Sequence, residues 1–444
     1  MSALHGHSQK YAMKTPPEHE PIEPLSRRDF VRATSALAAT ALFGELTRDA
    51  PAADAPGTAA AAKTSAPAPH PLLTKADDFT DVSRGNPKPH TLTGDALVQA
   101  RLTAETWRLE IVADTFTSDV VKEPASLGKQ FTIEDGTALD LPALIELGKK
   151  HSVRFLKAFQ CLNIAAPLGQ GLWEGVPLRE VLRLCGPMRN VRRVYYSGFH
   201  NNDPKQLFQS SLSYTQAMET APGELPPFIA WRLNGAAIPL KRGGPVRLVI
   251  PWAHGFKSIK WLQRIAVTND WKANDTYANA NNDPESHLKT AAYIDHAPEK
   301  FPAGQPIFFT GLALSGLSGL QRVEWWLRRA EPDAKPGLLD DETYRAAQWT
   351  PAELEAPPSD WSSVFPAGVS SKDVLGFDPK TGKPAMWPLR YSMISWSAAL
   401  RDLKPGSYEF RARAVDLNGF AQPEPRPIAK AGKNAVEVHK FEIA

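Results

Sequence analysis

Apolar side chains recur with period two in several segments between Thr106 and the C-terminus, separated by Pro- and Gly-containing stretches, and this pattern favours a β-rich, loop-rich fold over a helical bundle. In "TWRLEIVAD" (106–114), Trp107, Leu109 and Ile111 share one face. "HSVRFLKAFQC" (151–161) aligns Val153, Phe155, Phe159 and Cys161, with Lys157 as the exception. Between Arg242 and Asn269, Val246, Leu248 and Ile250 alternate, Pro251 ends the run, and Ile265 and Val267 open the next. Farther on, Val323, Trp325 and Leu327 alternate, as do Tyr408, Phe410, Ala412 and Ala414, and Asn418-Gly419 marks a turn. Short strands of this kind near the C-terminus predict a β-sandwich of immunoglobulin type. Its residues carry no clustered Cys/His set and no nucleophile motif, which gives this part a structural role.

The chain has 444 residues, enough for two domains, and its 40 prolines favour a loop-rich β fold. A net charge of +3 without any dense Lys/Arg block speaks against nucleic acid as a partner.

Two cysteines exclude a disulfide framework, and no C-x-x-C or C-x-x-C-H occurs to hold zinc, a cluster or c-type haem. Their settings differ. In "VPLREVLRLCG" (176–186), Leu178, Val181, Leu182 and Cys185 fall at i, i+3, i+4 and i+7 of a short helix. Pro177 suits its first turn and Gly186 its end, so Cys185 reads as a core residue. Cys161 instead sits where a strand opens into "LNIAAPLGQG". A rigid strand end leading into a loop is a good place for a reactive group.

The N-terminal region reads as an address. Ser26-Arg27-Arg28-Asp29-Phe30-Val31 matches a twin-arginine export signal, and a weakly apolar run with small residues follows, so the expected location is periplasmic. Residues 1–57 are expected to hold this signal and the start of a linker, and 58–78 a disordered Ala/Pro-rich linker. Folded structure is expected to begin near Phe79. Arg247, His254, Lys257 and Lys260 cluster around one turn. They fit either a phosphate or other oxyanion site or a solvated basic loop, and alternation does not choose between the two.

Taken together, the Cys161 segment with "WEGVPLREVL" (173–182), "NGAAIPLKRGGPVRLVIPWAHGFKSIKWL" (234–262) and "YEFRARAVDLNGFAQP" (408–423) resemble the sulfite oxidase superfamily of molybdenum enzymes. The resemblance runs from about Ser83 to the C-terminus. It implies an α+β chain: a mixed α/β molybdopterin-binding domain over 79–287, then an immunoglobulin-like domain over 288–444 of the kind that often dimerises. It implies Cys161 as a thiolate ligand to molybdenum, since soft anionic sulfur suits that metal. It also implies that the basic block wraps the pterin phosphate, with Arg242, Arg247, His254, Lys257 and Lys260 as candidates. Arg242 stands where the family often has His. "SRGNPKPH" (83–90) falls at a cofactor-proximal Arg-Asn segment, which adds Arg84 as a catalytic candidate and Asn86 as a cofactor contact.

One departure bears on substrate. Sulfite-oxidising members continue from the cysteine through Ala-Gly-Asn to an anion-binding arginine, whereas this chain reads Cys161-Leu162-Asn163-Ile164-Ala165-Ala166-Pro167. Arg84, Lys88 or His200 is then needed as the cation. The expected function is oxygen-atom transfer on a small sulfur oxyanion, sulfite to sulfate. Electrons would pass to a separate electron-transfer protein, a cytochrome or membrane subunit. The alternatives are a sulfoxide reductase of the same superfamily, towards which "PWAHGFKSIK" leans, and a non-catalytic secreted β-rich binding protein.

Overall fold

In the computed structural model, the described residues are 67–113, 123–162, 164, 166–273, 283–295, 297–330, 341–422 and 435–444. The export signal and residues 58–66 of the expected linker lie outside them. The first half contains β1 (Arg108–Ala113), α1 (Leu141–His151), β2 (Val153–Phe159), β3 (Gly169–Pro177), α2 (Leu178–Arg183), β4 (Arg193–Gly198), β5 (Gln209–Ser213), β6 (Phe228–Leu233), β7 (Arg247–Val249) and β8 (Leu262–Thr268). One sheet runs Leu139–Asp140, β1, β8, β4, β5, with β1 and β8 parallel. The other runs Ala236–Ala237, β6, β3, β2, and β7 also pairs with β6.

The expected alternation is realised as burial. Trp107, with Leu109 and Ile111 of β1, joins Val194, Ile265 and Val267 in one core, together with Leu178, Val181 and Leu182 of the short helix; α2 ends at Arg183, so Cys185 reaches this core from the turn that follows the helix. Pro177 ends β3 and caps α2 rather than opening its first turn. α1 begins where the Asp140 carboxylate accepts from Ala143 N, and it ends in Lys149, Lys150 and His151, charges that complement the helix dipole at both ends.

β7 lies between two cores. Val246, Leu248 and Ile250 face the first, and Val249 faces a second one with Phe79, Phe155, Phe159, Trp173 and Phe228. Lys157, the exception in the β2 pattern, is fully buried rather than solvated.

The second half is a β-sandwich. Its strands are β9 (Ala291–Ile294), β10 (Ile307–Leu314), β11 (Arg322–Arg329), β12 (Met393–Leu400), β13 (Gly406–Val415) and β14 (Glu437–Ile443). One sheet is β9-β10-β12 with Glu353–Leu354, and the other is Lys300–Phe301, β14, β13, β11 and Thr350–Pro351. Phe309 stacks on Phe410 between the sheets, with centroids 4.1 Å apart.

Packed chain begins ahead of Phe79. Leu72 is buried in the sandwich core, and Thr74 N donates to Gln170 O. The Leu72-Leu73 pair anchors a segment whose surrounding composition reads as linker.

Candidate functional site

β2 ends at Phe159, and Leu168 N donates to Phe159 O, closing the base of the loop that carries Cys161. Gly255 N donates to Gln160 O, which brings the turn after Pro251 against this loop. A third wall comes from residues 80–85, and a fourth from the end of β4. Together they form a solvent-open cleft that Cys161 lines. The cleft gathers Arg84, Cys161, His200, Arg242, Arg247 and Lys260.

The basic block is buried, which removes the solvated-loop alternative: Arg242, Arg247, His254 and Lys257 are all nearly inaccessible. Arg247 braces its own surroundings, with Nη1 donating to Arg242 O at 2.7 Å and Nη2 to Ser258 O at 2.8 Å. Its guanidinium lies 4.6 Å from the Phe159 ring centroid and 5.1 Å from that of Trp173. Burial, with Arg242 alongside, pushes it down to about 9. Lys260 Nζ donates to Asp81 Oδ1 at 3.2 Å, Ser83 Oγ at 2.7 Å and Lys241 O at 2.8 Å. Burial and then Arg247 push Lys260 down to about 7, against the pull of Asp81. Burial works to raise Asp81, but its hydrogen bond from Ser83 and the Lys260 charge outweigh this and hold it below the usual carboxylate range.

Three of the expected residues stand apart from the cleft. Asn86 is exposed, and its N donates to Gln206 Oε1. Lys257 Nζ donates to Ser211 O at 2.9 Å. His254 is buried behind the turn. Lys88 reaches Asp81 Oδ2 at 3.6 Å. Asp81 was not legible in the sequence, because its contact with Lys260 spans 179 positions. The aromatic wall of Phe199, Phe208, Phe256 and Trp261 was missed for the same reason. Arg84 lies over Phe208, 4.9 Å from the ring centroid.

Arg242 Nε and Nη2 and Arg247 Nε are buried without hydrogen-bond partners among the described residues. Buried like charges with unused donors are costly unless an anion meets them. The site therefore fits a phosphate-bearing group, and Cys161 offers a thiol in the same cleft. Among the described residues, no group of three or more His, Cys, Asp or Glu is placed to hold a metal ion.

Residues 98–276 match the family model described as "oxidoreductase molybdopterin binding domain". The chain is 29% identical over 169 residues to a nitrate reductase [NADPH] of Fusarium oxysporum, covering 37% of this chain and 17% of that protein. It is 32% identical over 111 residues to a sulfite oxidase of Gallus gallus, covering 23% and 24%. These matches span only about a fifth of the relatives' own lengths. The solved sulfane dehydrogenase SoxCD from Paracoccus pantotrophus superposes with a TM-score of 0.51 at 16% identity, covering 80% of this chain and 86% of that one, a likeness of fold.

Proposed function

From the premise that residues 98–276 are a molybdopterin-binding oxidoreductase domain of the sulfite oxidase-type superfamily, we propose that this protein transfers an oxygen atom at the sulfur of a small oxyanion, sulfite being the substrate. When bound, molybdenum with its molybdopterin supplies a two-electron redox centre. Cys161 is the thiolate that ligates the metal. Arg242, Arg247 and Lys260 hold the pterin phosphate, a role supported by the unpartnered buried donors of the two arginines. Electrons leave to a separate protein, and the twin-arginine signal takes the folded protein to the periplasm.

The observation that carries the substrate reading is Arg84. It lines the same cleft as Cys161 and supplies the cation that the loop after the cysteine lacks. A charge-assisted hydrogen bond of this kind contributes about 1.5–3 kcal/mol. The aromatic wall of Phe199, Phe208, Phe256 and Trp261 favours a second reading, in which an uncharged organic sulfoxide is reduced.

One experiment separates them. Holoprotein from the periplasmic fraction is analysed for molybdenum and pterin. It is then assayed with sulfite and an artificial electron acceptor, and with methionine sulfoxide or nitrate and a reduced dye. Sulfite turnover that falls at least tenfold in Arg84→Ala is expected. Sulfoxide turnover alone reverses the order of the two readings, and nitrate turnover alone removes both. Absence of molybdenum leaves the non-catalytic binding protein, and recovery only from the cytoplasm sinks the export assignment.

A further inference from the structure

Among the described residues between β2 and β3 none lies in a helix or strand, so the carbonyls of this stretch take donors from outside regular structure. One residue supplies them. Gln160 is 1% exposed, and its Nε2 donates to Cys161 O at 3.1 Å and to Ile164 O at 2.5 Å. Its own carbonyl accepts from Gly255 N at 2.8 Å. The side chain thus folds the cysteine loop onto itself, while the backbone fastens it to the turn that leads into the phosphate-binding block.

The orientation of the amide is forced by chemistry. Turned the other way, its oxygen would face two carbonyl oxygens, and both carbonyls would lose their donor. The cost of the arrangement is visible in Oε1, which is buried without a hydrogen-bond partner among the described residues. A buried amide that leaves its acceptor unused is retained for its two donor hydrogens.

We infer that Gln160 is the positioning residue of Cys161: its amide fixes the direction in which Sγ enters the cleft. The inference rests on the reading of Cys161 as the metal ligand. Groups that hydrogen-bond around a ligand set its orientation, and their loss loosens the bond to the metal without removing the ligand. Here the group acts on the backbone of the ligating residue, at the carbonyls on both sides of its turn. Methionine fills nearly the same volume and donates nothing. Glutamate keeps the shape and replaces the donors with oxygens.

The chain carries its own control, since Cys185 is fully buried in the first core. Full-length holoprotein is treated with iodoacetamide, and the alkylated peptide is identified by mass spectrometry. Molybdenum content and the Mo(V) electron paramagnetic resonance spectrum are recorded alongside. In the wild type both cysteines are expected to be protected, Cys161 by the metal and Cys185 by burial. In Gln160→Met and Gln160→Glu, Cys161 should be alkylated at least about tenfold faster, equivalent to about 1.4 kcal/mol in loop opening. The Mo(V) signal should broaden or split while Cys185 stays protected. Wild-type protection and an unchanged spectrum in both variants would overturn the inference. So would alkylation of both cysteines together in both variants, which marks general loosening. Free alkylation of Cys161 in wild-type holoprotein is a different failure. It removes the cysteine from the metal and takes the reading of the site down first.

Discussion

At the scale of the single residue, the site is a balance among three cations and one carboxylate. Lys260 has three acceptors for its three ammonium protons, yet burial and Arg247 bring it down to about 7. Its charge is therefore complete below that pH and lost above it. Anion affinity of the cofactor-free protein should accordingly fall as pH rises through about 7, by up to about tenfold per pH unit for one proton. Sulfate is a suitable probe, because its charge stays constant across this range. Calorimetric titration should show the decline in the wild type and a flat profile in Lys260→Arg; a wild-type affinity independent of pH would refute it. The two cysteines were separable from sequence alone, because an i, i+3, i+4, i+7 pattern marks an apolar core face, which Cys185 joins from the turn just past α2, and a Pro/Gly-rich context does not. Gln160 and Asp81 were not separable from their neighbours, since what distinguishes each is a geometry that no pattern along the chain encodes. Lys157 breaks the alternation, but a break alone does not say whether the charge is solvated or buried.

At the scale of the element, strand alternation was legible wherever one face was buried and the other was not. It was less informative for β7, whose two faces are both covered, so that Arg247 and Val249 are as buried as Leu248. The Leu72 segment escaped because two leucines in an Ala/Pro context carry no period. The end of β4 shows what the elements must allow at the cleft. Gly198 pairs with Leu262 of β8, and a Cβ at this position would lie 2.0 Å from the Lys260 carbonyl oxygen. Backbone cannot give way as a flexible side chain does, so Gly198→Ala must push β8 and β4 apart where Lys260 emerges. Overpacking of this kind costs about 1–3 kcal/mol. Gly198→Ala should lower the melting temperature and also the fraction of protein carrying molybdenum. Gly223→Ala serves as the comparison, because nothing lies within 4 Å of a Cβ there, although its φ of +82° brings some backbone strain of its own. Full molybdenum occupancy in Gly198→Ala would mean that the approach of β4 to Lys260 is not what shapes the phosphate end of the cleft.

At the scale of the whole molecule, the strand that leads into Cys161 is also the seam between the two halves. Ala158 N donates to Tyr391 O, and Gln170 joins Leu72 and Met393 through buried hydrogen bonds. Neither contact has a signature in the sequence, since each pairs positions far apart in the chain. Lys157 is fully buried at this seam, 3.5 Å from the Ala253 carbonyl and 6.0 Å from the Tyr391 ring centroid. No carboxylate charge among the described residues offsets its burial, which pushes its amine well below the usual lysine range. The sign of the pH effect follows. The unfolded chain holds a proton on this lysine up to about pH 10.4, while the folded chain releases it earlier, so unfolding takes up a proton and stability rises with pH across that window. The slope contributed is at most about 1.4 kcal/mol per pH unit. Methionine matches the length of the stem without an amine to desolvate. Lys157→Met should therefore stabilise the protein by a few kcal/mol at neutral pH, with the advantage shrinking as pH rises towards 10. Denaturant unfolding at a series of pH values measures both quantities. A variant less stable than the wild type at every pH would show instead that the hydrogen bond to Ala253 outweighs the burial of the amine, and that the seam depends on it.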